Sequence, residues 1–519
     1  MSSSSSQQPP PQHPDICYQT ILVHALPSIC NNAAAPIALL VNLALFAQAG
    51  GPAWMAAYAV IQSTVTFGQG LFNFLLYVPM AQIAFCVGQP GCSVRKVQHQ
   101  VSLALGVGIV WGLACTLCLC AVLFSGREWR CVRRFFGGNH QLDDDCTTRF
   151  YSNNHEEEEK NNYGVVMQLM SVAATVRPLA VLYLRGRLPS IALVFVNRVC
   201  TGILVGKQRL RIVTLLNVSI GVLDVMGNAM VLVPALFWEQ QERQQLPLPT
   251  MAIYQAGLAT SAATAAGIVV MLPLSICLDA AATCTTSNSA ASDDNDNLHT
   301  VPPAISRMDE EEHPLSFSAL AFLSSSLNMI VRSLLLQGAM YTLSILASRI
   351  GTSELAAHQV VIQLWSLVSF ACDGFADVGT MVGGRLLGAG QHQDVVALTQ
   401  RLLVLAVAAG TLCGVLLLVF QQAVLDSFAN GDIPTQQVLD SVWMLTAWMQ
   451  PINALVFVSD GILFAHQAFG FIRNLMLLGV LGIFVPCLAL GYTTAHSLLA
   501  LWIAKSLLSC WRCLAAAWF

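Results

Sequence analysis

This chain is short of charge. Only 10% of its 519 residues are Asp, Glu, Lys or Arg, where a soluble domain carries about a quarter. The formal net charge of -4 is small, so no basic surface points to a nucleic-acid partner. A GxxxxGK[ST] phosphate loop is missing, which argues against direct drive by ATP. The one Gly-rich stretch, GGRLLGAG, follows a helical run and suits tight helix–loop packing better than phosphate binding. Nothing else suggests an enzyme. The N-terminal residues MSSSSSQQPPPQHP have neither a basic region nor an early apolar core, so no secretory signal is visible and the first span is expected to serve as the insertion signal. Their Ser content resembles that of a plastid transit peptide, yet no Arg precedes Arg95; plasma membrane and organelle envelope both stay open.

Hydrophobic residues, by contrast, make up 55% of the chain, and the mean hydropathy is +0.63. Cysteine is also plentiful, with 17 copies. Most lie inside apolar runs, as do Cys115, Cys118 and Cys120, and there a free cysteine behaves as a small hydrophobe rather than a metal ligand. A spanning helix needs about 20 mostly apolar residues. Runs of that kind occur at 20–48, 54–87, 98–124, 188–206, 210–237, 252–278, 320–349, 354–387, 398–420, 437–465, 472–491 and 495–518. The stretch 164–186 is interrupted by Arg177-Pro178 and Arg185-Gly186-Arg187; it reads as an interfacial helix leading into span 4, with a thirteenth span as the alternative.

The spans repeat. Residues 51–107 and 351–407 align without a gap, pairing Gly51 with Gly351, Ala56-Ala57 with Ala356-Ala357, Val60 with Val360, Val78 with Val378, Gly88 with Gly388 and Gln100 with Gln400. Ala192–Val196 likewise matches Ala454–Val458. Chance can produce similarity in apolar sequence, but colinear order over two regions argues for a duplicated unit, a common way to build a transport path. The expected architecture is therefore an all-α integral membrane protein of twelve helices in two pseudo-symmetric six-helix lobes.

Two polar, acidic stretches punctuate the bundle. Residues 126–163 carry Asp143-Asp144-Asp145 and Glu156–Glu159, while 280–316 is rich in Ser, Thr, Asn and Asp. Neither buries enough apolar surface to fold alone. The division that follows is a disordered tail at 1–19, an N-lobe at 20–279, an acidic cytoplasmic linker at 280–316 and a C-lobe at 317–519. A cytoplasmic N-terminus places Arg95, Lys96, Lys207, Arg209, Arg211, Arg307, Arg385 and Arg473 inside, in keeping with the positive-inside rule. Arg127, Arg130, Arg133 and Arg134 run against it.

Particular segments resemble the multidrug and toxic compound extrusion (MATE) family, and within it the DinF-like branch. They are Arg332–Gly390 with its AAHQ, DGFA and GRLLGAG pieces, Val222–Asp224, Ala256–Thr260, Tyr183–Arg187 and Pro451–Phe464. The resemblance covers nearly all the spans but not the tail or the acidic loops. It implies two lobes around a cleft that opens alternately to either side, and export of small organic compounds in exchange for protons or sodium ions. No cofactor beyond that coupling ion is implied, and a monomer in the bilayer is expected.

Ionisable groups inside spans are costly, so each is a functional candidate. Asp224 lies fifteen residues beyond Arg209, about 20 Å into the membrane, and matches the family's span 5 aspartate. The usual span 1 carboxylate is replaced by Asn42 in Leu40-Val41-Asn42-Leu43. An amide carries no titratable proton, which leaves Asp224 without its customary partner. The C-lobe is richer in acids: Asp373 and Asp377 lie four apart on one helix face, and Asp460 stands in span 10. Arg332 and Arg198 are candidate countercharges; a structural Asp–Arg cluster is the plainer reading. Gln62, Asn73, Gln82, Asn328, His358 and Gln363 are polar residues that line a path or bridge helices. His358, at a helix start, suits packing as well as pH sensing. Trp365 offers a ring face to an organic cation or to lipid. Pro27, Pro36, Pro79 and Pro451 are candidate bends. Two other functions stay open: a passive channel on the same fold, which Asn42 favours, and a transport-inactive receptor or scaffold with the acidic loops as docking tails.

Overall fold

A computed structural model describes residues 17–123, 176–239, 248–278, 319–429 and 433–519. Both acidic stretches, Arg127 to Arg134 and the tail before residue 17 lie outside them. Helices and short turns make up the described residues. They are α1 (Tyr18–Leu71), α2 (Phe74–Gly88), α3 (Val94–Leu123), α4 (Arg177–Gly206), α5 (Leu210–Glu239) and α6 (Leu248–Cys277), then α7 (Ala319–Ile350), α8 (Thr352–Gly388), α9 (His392–Val419), α10 (Gln421–Ala429), α11 (Ile433–Trp448), α12 (Gln450–Ala465), α13 (Phe469–Gly479), α14 (Val485–Ala495) and α15 (Leu498–Trp518). A π-turn, Val480–Phe484, joins α13 to α14.

Among these residues, eleven helical segments are long and apolar enough to cross a membrane, and a bent pair, α11 with α12, makes twelve. That pair meets at 51° around Met449. Pro451 sits in the first turn of α12, where its missing N–H leaves no intrahelical bond unmade. Spans 1 and 2 share the 54-residue α1, but α1 is not straight. Phe46 and Tyr58 stack with ring centroids 4.7 Å apart, whereas twelve residues of straight helix would separate them by about 18 Å. The helix folds back on itself between them, and the Trp54 indole occupies the space a Cβ on Gly50 would need.

Span 4 corrects the sequence reading. Its helix starts at Arg177 and runs unbroken through Arg185-Gly186-Arg187 to Gly206, and the apolar span begins at Leu179. Residues 177–187 are therefore its first three turns, not an interfacial lead-in. The charge is tolerated because Arg187 faces the bundle: it is 7% exposed and donates to Gln62 Oε1 and Tyr183 Oη. Gly186 faces Gly257 of α6 so closely that a Cβ on either would strike the other's backbone.

Within the first six helices, α4 packs on α6, α2 and α3, and α5 packs on α1 and α6. Within the rest, α12 packs on α8, α9 and α15, and α7 packs on α13. The two sets meet chiefly where α1 and α2 lie against α8. That seam shows the repeat directly. A Cβ on Gly88 would strike the Arg385 carbonyl, and one on Gly388 would strike the Phe85 carbonyl. Residues 85 and 385 are themselves equivalents under the 300-residue offset, so the crossing of α2 and α8 is reciprocal, as a two-fold axis through it requires.

Gly388→Val should therefore force the two backbones apart. The expected cost is about 1–3 kcal/mol, the range for overpacking a close contact, read as a lower unfolding midpoint of the detergent-solubilised protein. Gly106, which has open space around a Cβ, is the control: Gly106→Ala should leave the midpoint unchanged or raise it slightly.

Candidate functional site

Among the described residues, the acidic candidates fall into two polar constellations. In the first lobe, α1 presents Asn42 and α5 presents Asp224 and Asn228, one helical turn apart. Asn42 Nδ2 donates to Asp224 Oδ2 at 2.7 Å. Asn228 Nδ2 donates to Asp224 Oδ1 at 3.0 Å and sits 3.3 Å from Thr260 Oγ1. Asn42 and Asn228 are buried, while Asp224 is half-buried. The three rings of Phe46, Tyr58 and Tyr183 pack beside them. The substituted Asn42 is thus a direct hydrogen-bond partner of Asp224 rather than a distant bystander. Both carboxylate oxygens accept from amides, and Asp224 stays half-buried.

The second constellation is denser. Asp460 of α12 accepts from Arg332 Nη2 of α7 at 2.6 Å and from Arg512 Nη2 of α15 at 2.7 Å, both on the same oxygen. All three residues are about nine-tenths buried. One carboxylate between two guanidiniums leaves a positive excess in a low-dielectric interior, a costly arrangement unless other groups share it. Asp373 is within electrostatic reach of Arg332, Arg198, Asp460 and Asp377. Asp377, one turn further along α8, faces the other lobe. Its Oδ2 accepts from Ser28 Oγ at 2.5 Å and Asn32 Nδ2 at 3.1 Å, both on α1. The four-residue spacing therefore puts one acid near the Arg cluster and the other on the lobe seam.

The remaining polar candidates scatter. Arg198 donates to Gln69 at 3.3 Å and lies near Asp373 and Tyr77; Tyr77 in turn stacks on Phe464 across the lobes at 4.7 Å. Gln62 accepts from Arg187. Asn73 marks the break between α1 and α2, and Gln82 is buried with its Oε1 unpaired. Asn328 accepts from Arg473 at 2.8 Å. His358 is fully buried, 2.9 Å from Ser344 Oγ and packed against Trp502. Gln363 is exposed. Trp365 stacks its ring under the chain's own Lys505, with Nζ 4.7 Å from the centroid.

Lys505 and Arg512 are the residues the sequence reading passed over. They lie seven apart in the last span, hence on one helix face, and basic residues inside an apolar run are the signal that marks them. Ser28 and Asn32 carried no such signal, because small polar residues in spans are common. The duplicated order also exposes an asymmetry. The 300-residue offset pairs Asp373 with Asn73, and the match of Ala192–Val196 to Ala454–Val458 pairs Asp460 with Arg198. Where one lobe has acids, the other has an amide and a cation.

Among the described residues, the helices form a polytopic bundle whose two sets cross reciprocally and enclose buried charge. Residues 329–501 match the MatE family model. A stretch of 174 residues is similar, at 27% identity, to the Arabidopsis thaliana protein DETOXIFICATION 44, chloroplastic; the match spans 33% of each chain. Over the whole length, the fold is similar to a mutant of the Vibrio cholerae MATE transporter VcmN, with TM-score 0.67, 14% identity and coverage of 96% of this chain and 94% of that one. It is also similar to a MOP superfamily transporter from Pyrococcus furiosus, with TM-score 0.68, 13% identity and coverage of 96% and 93%. The chain is an all-α membrane protein with the fold of solved MATE transporters.

Asp460→Asn removes the charge that two buried guanidiniums share, and should destabilise the protein by about 3–5 kcal/mol. Arg512→Met should cost clearly less, because Asp460 keeps Arg332. Unfolding midpoints of the two variants in one detergent check the order.

Proposed function

We propose that the chain is an ion-coupled antiporter that exports small organic compounds by alternating access of its two lobes, with protons or sodium ions as the driving ion. The observation that carries this reading is the position of Asp377. It belongs to α8, yet its hydrogen-bond partners Ser28 and Asn32 belong to α1 of the other lobe. A proton or cation taken up by that carboxylate weakens its claim on those donors, so occupancy of an acid and separation of the lobes become one event. Asp373, one turn away and near the Arg332–Asp460–Arg512 cluster, is the group through which ion entry alters the interior charge. Asp224, tied by two amides, has a secondary role in the first lobe. Both lobes lie in one chain, so a monomer suffices.

A passive channel on the same fold is the competing reading, favoured by the uncharged Asn42 beside Asp224. Proteoliposomes with separately imposed pH and sodium gradients separate the two: an exchanger accumulates a fluorescent organic substrate against its gradient, and a channel only equilibrates it. Asp373→Asn should abolish gradient-driven export while leaving membrane insertion intact, and Asp224→Asn should weaken it less. The reverse order would move coupling to the first lobe. Asn42→Asp places a second carboxylate at hydrogen-bond distance from Asp224. Two such groups do not both ionise without a cation between them, so the pH profile of export should shift relative to wild type. An unchanged profile would mean that Asp224 takes no part in coupling.

A further inference from the structure

Inside the second lobe, α7, α8, α12 and α15 enclose a cavity of about 20 Å³, lined by Trp365, Asn453, Phe457, Lys505, Ser509 and Arg512 among others. It is distinct from the lobe seam and from the Asn42–Asp224 network. That volume admits one water-sized particle and no organic molecule. Its chemistry is one-sided. Lys505 is 6% exposed, and only one hydrogen bond of its ammonium is satisfied by oxygen, from Asn453 Oδ1 at 3.2 Å. Arg512 spends one nitrogen on Asp460, while its Nε is buried without an acceptor from the protein. The indole Nε1 of Trp365 is buried without an acceptor as well. Donors outnumber acceptors, and the charge points the same way: Lys505, Arg512 and Arg332 stand against Asp460, with Asp373 in reach of Arg332 and Arg512. Even with Asp373 ionised, one positive charge stays uncompensated.

A water molecule in this place would bring two protons of its own into a wall already short of acceptors. A monatomic anion brings none; it accepts from every donor at once and neutralises the excess charge. We propose that this cavity is a binding site for a small monovalent anion of halide size, held by the Lys505 ammonium, the Arg512 guanidinium and the Trp365 indole N–H. The Trp365 and Trp502 rings, 4.7 and 5.6 Å from Lys505 Nζ, hold the ammonium in place from its other sides. The site is a property of this lobe, and binding there is measurable whether or not the chain exchanges ions across a membrane.

The test uses the full chain purified in detergent, in gluconate buffer at fixed ionic strength, titrated with sodium bromide while tryptophan fluorescence and the unfolding midpoint are followed. Bromide should quench saturably and raise the midpoint, because a ligand that binds only the folded state stabilises it. Lys505→Met should weaken apparent bromide affinity about 10- to 100-fold, the worth of a charged hydrogen bond, whereas Lys505→Arg keeps saturable binding. Trp365→Phe preserves the ring and deletes the N–H, so it should weaken binding about 3- to 10-fold; it serves if Lys505→Met fails to fold. Acetate and citrate should not compete, because they do not fit. A wild-type response without saturation, equal bromide affinity in wild type and Trp365→Phe, or competition by citrate as strong as by bromide would overturn the proposal.

Discussion

The cost of placing charge inside a hydrocarbon slab governs this molecule. An ionised side chain at the bilayer centre costs at least a few kcal/mol, so charge appears within the spans only where other charges or dipoles receive it. Asp460 is the clearest instance. It is held by Arg332 and Arg512 at 2.6 and 2.7 Å, and it ties three helices, α7, α12 and α15, to one point. Arg187 obeys the same rule in the first lobe, where Gln62 and Tyr183 receive it.

Close backbone approach is the second constraint. Without a hydrophobic drive between helices in lipid, packing depends on small residues that let backbones meet. Gly88 and Gly388 do this between the lobes, Gly186 and Gly257 within the first lobe, and Gly461 against Ala376 within the second. The reciprocal crossing of α2 and α8 therefore concentrates lobe-to-lobe contact along a narrow seam. Polar contacts between the lobes include Asp377 to Ser28 and Asn32, and Gln208 Nε2 to the Met381 carbonyl at 2.9 Å.

The duplicated halves have diverged in charge while keeping the reciprocal Gly88 and Gly388 contact. Positions that carry Asp373 and Asp460 in the second lobe carry Asn73 and Arg198 in the first. Backbone packing tolerates such exchanges because each side chain faces an interior with its own set of partners. The polar chemistry of the two halves is consequently different.

How much of this was legible in the sequence depends on range. Apolar run length sets span number, since a helix must satisfy its own backbone across lipid, and the 300-residue offset set the relation of Gly88 to Gly388. Local spacing also placed Asp373 and Asp377 on one face of α8. The fate of Arg185-Gly186-Arg187 was not legible, because a charge reads as an interruption until a buried partner is known, and Gln62 lies 125 residues away. The same holds for Asp377, whose partners are 345 and 349 residues distant, and for the meeting of Lys505 with Trp365 and of Arg512 with Asp460. Periodicity and hydropathy are properties of neighbours along the chain. Which charge meets which is decided only when helices far apart in sequence pack, because pairing energy depends on distances of a few ångströms that no local pattern encodes.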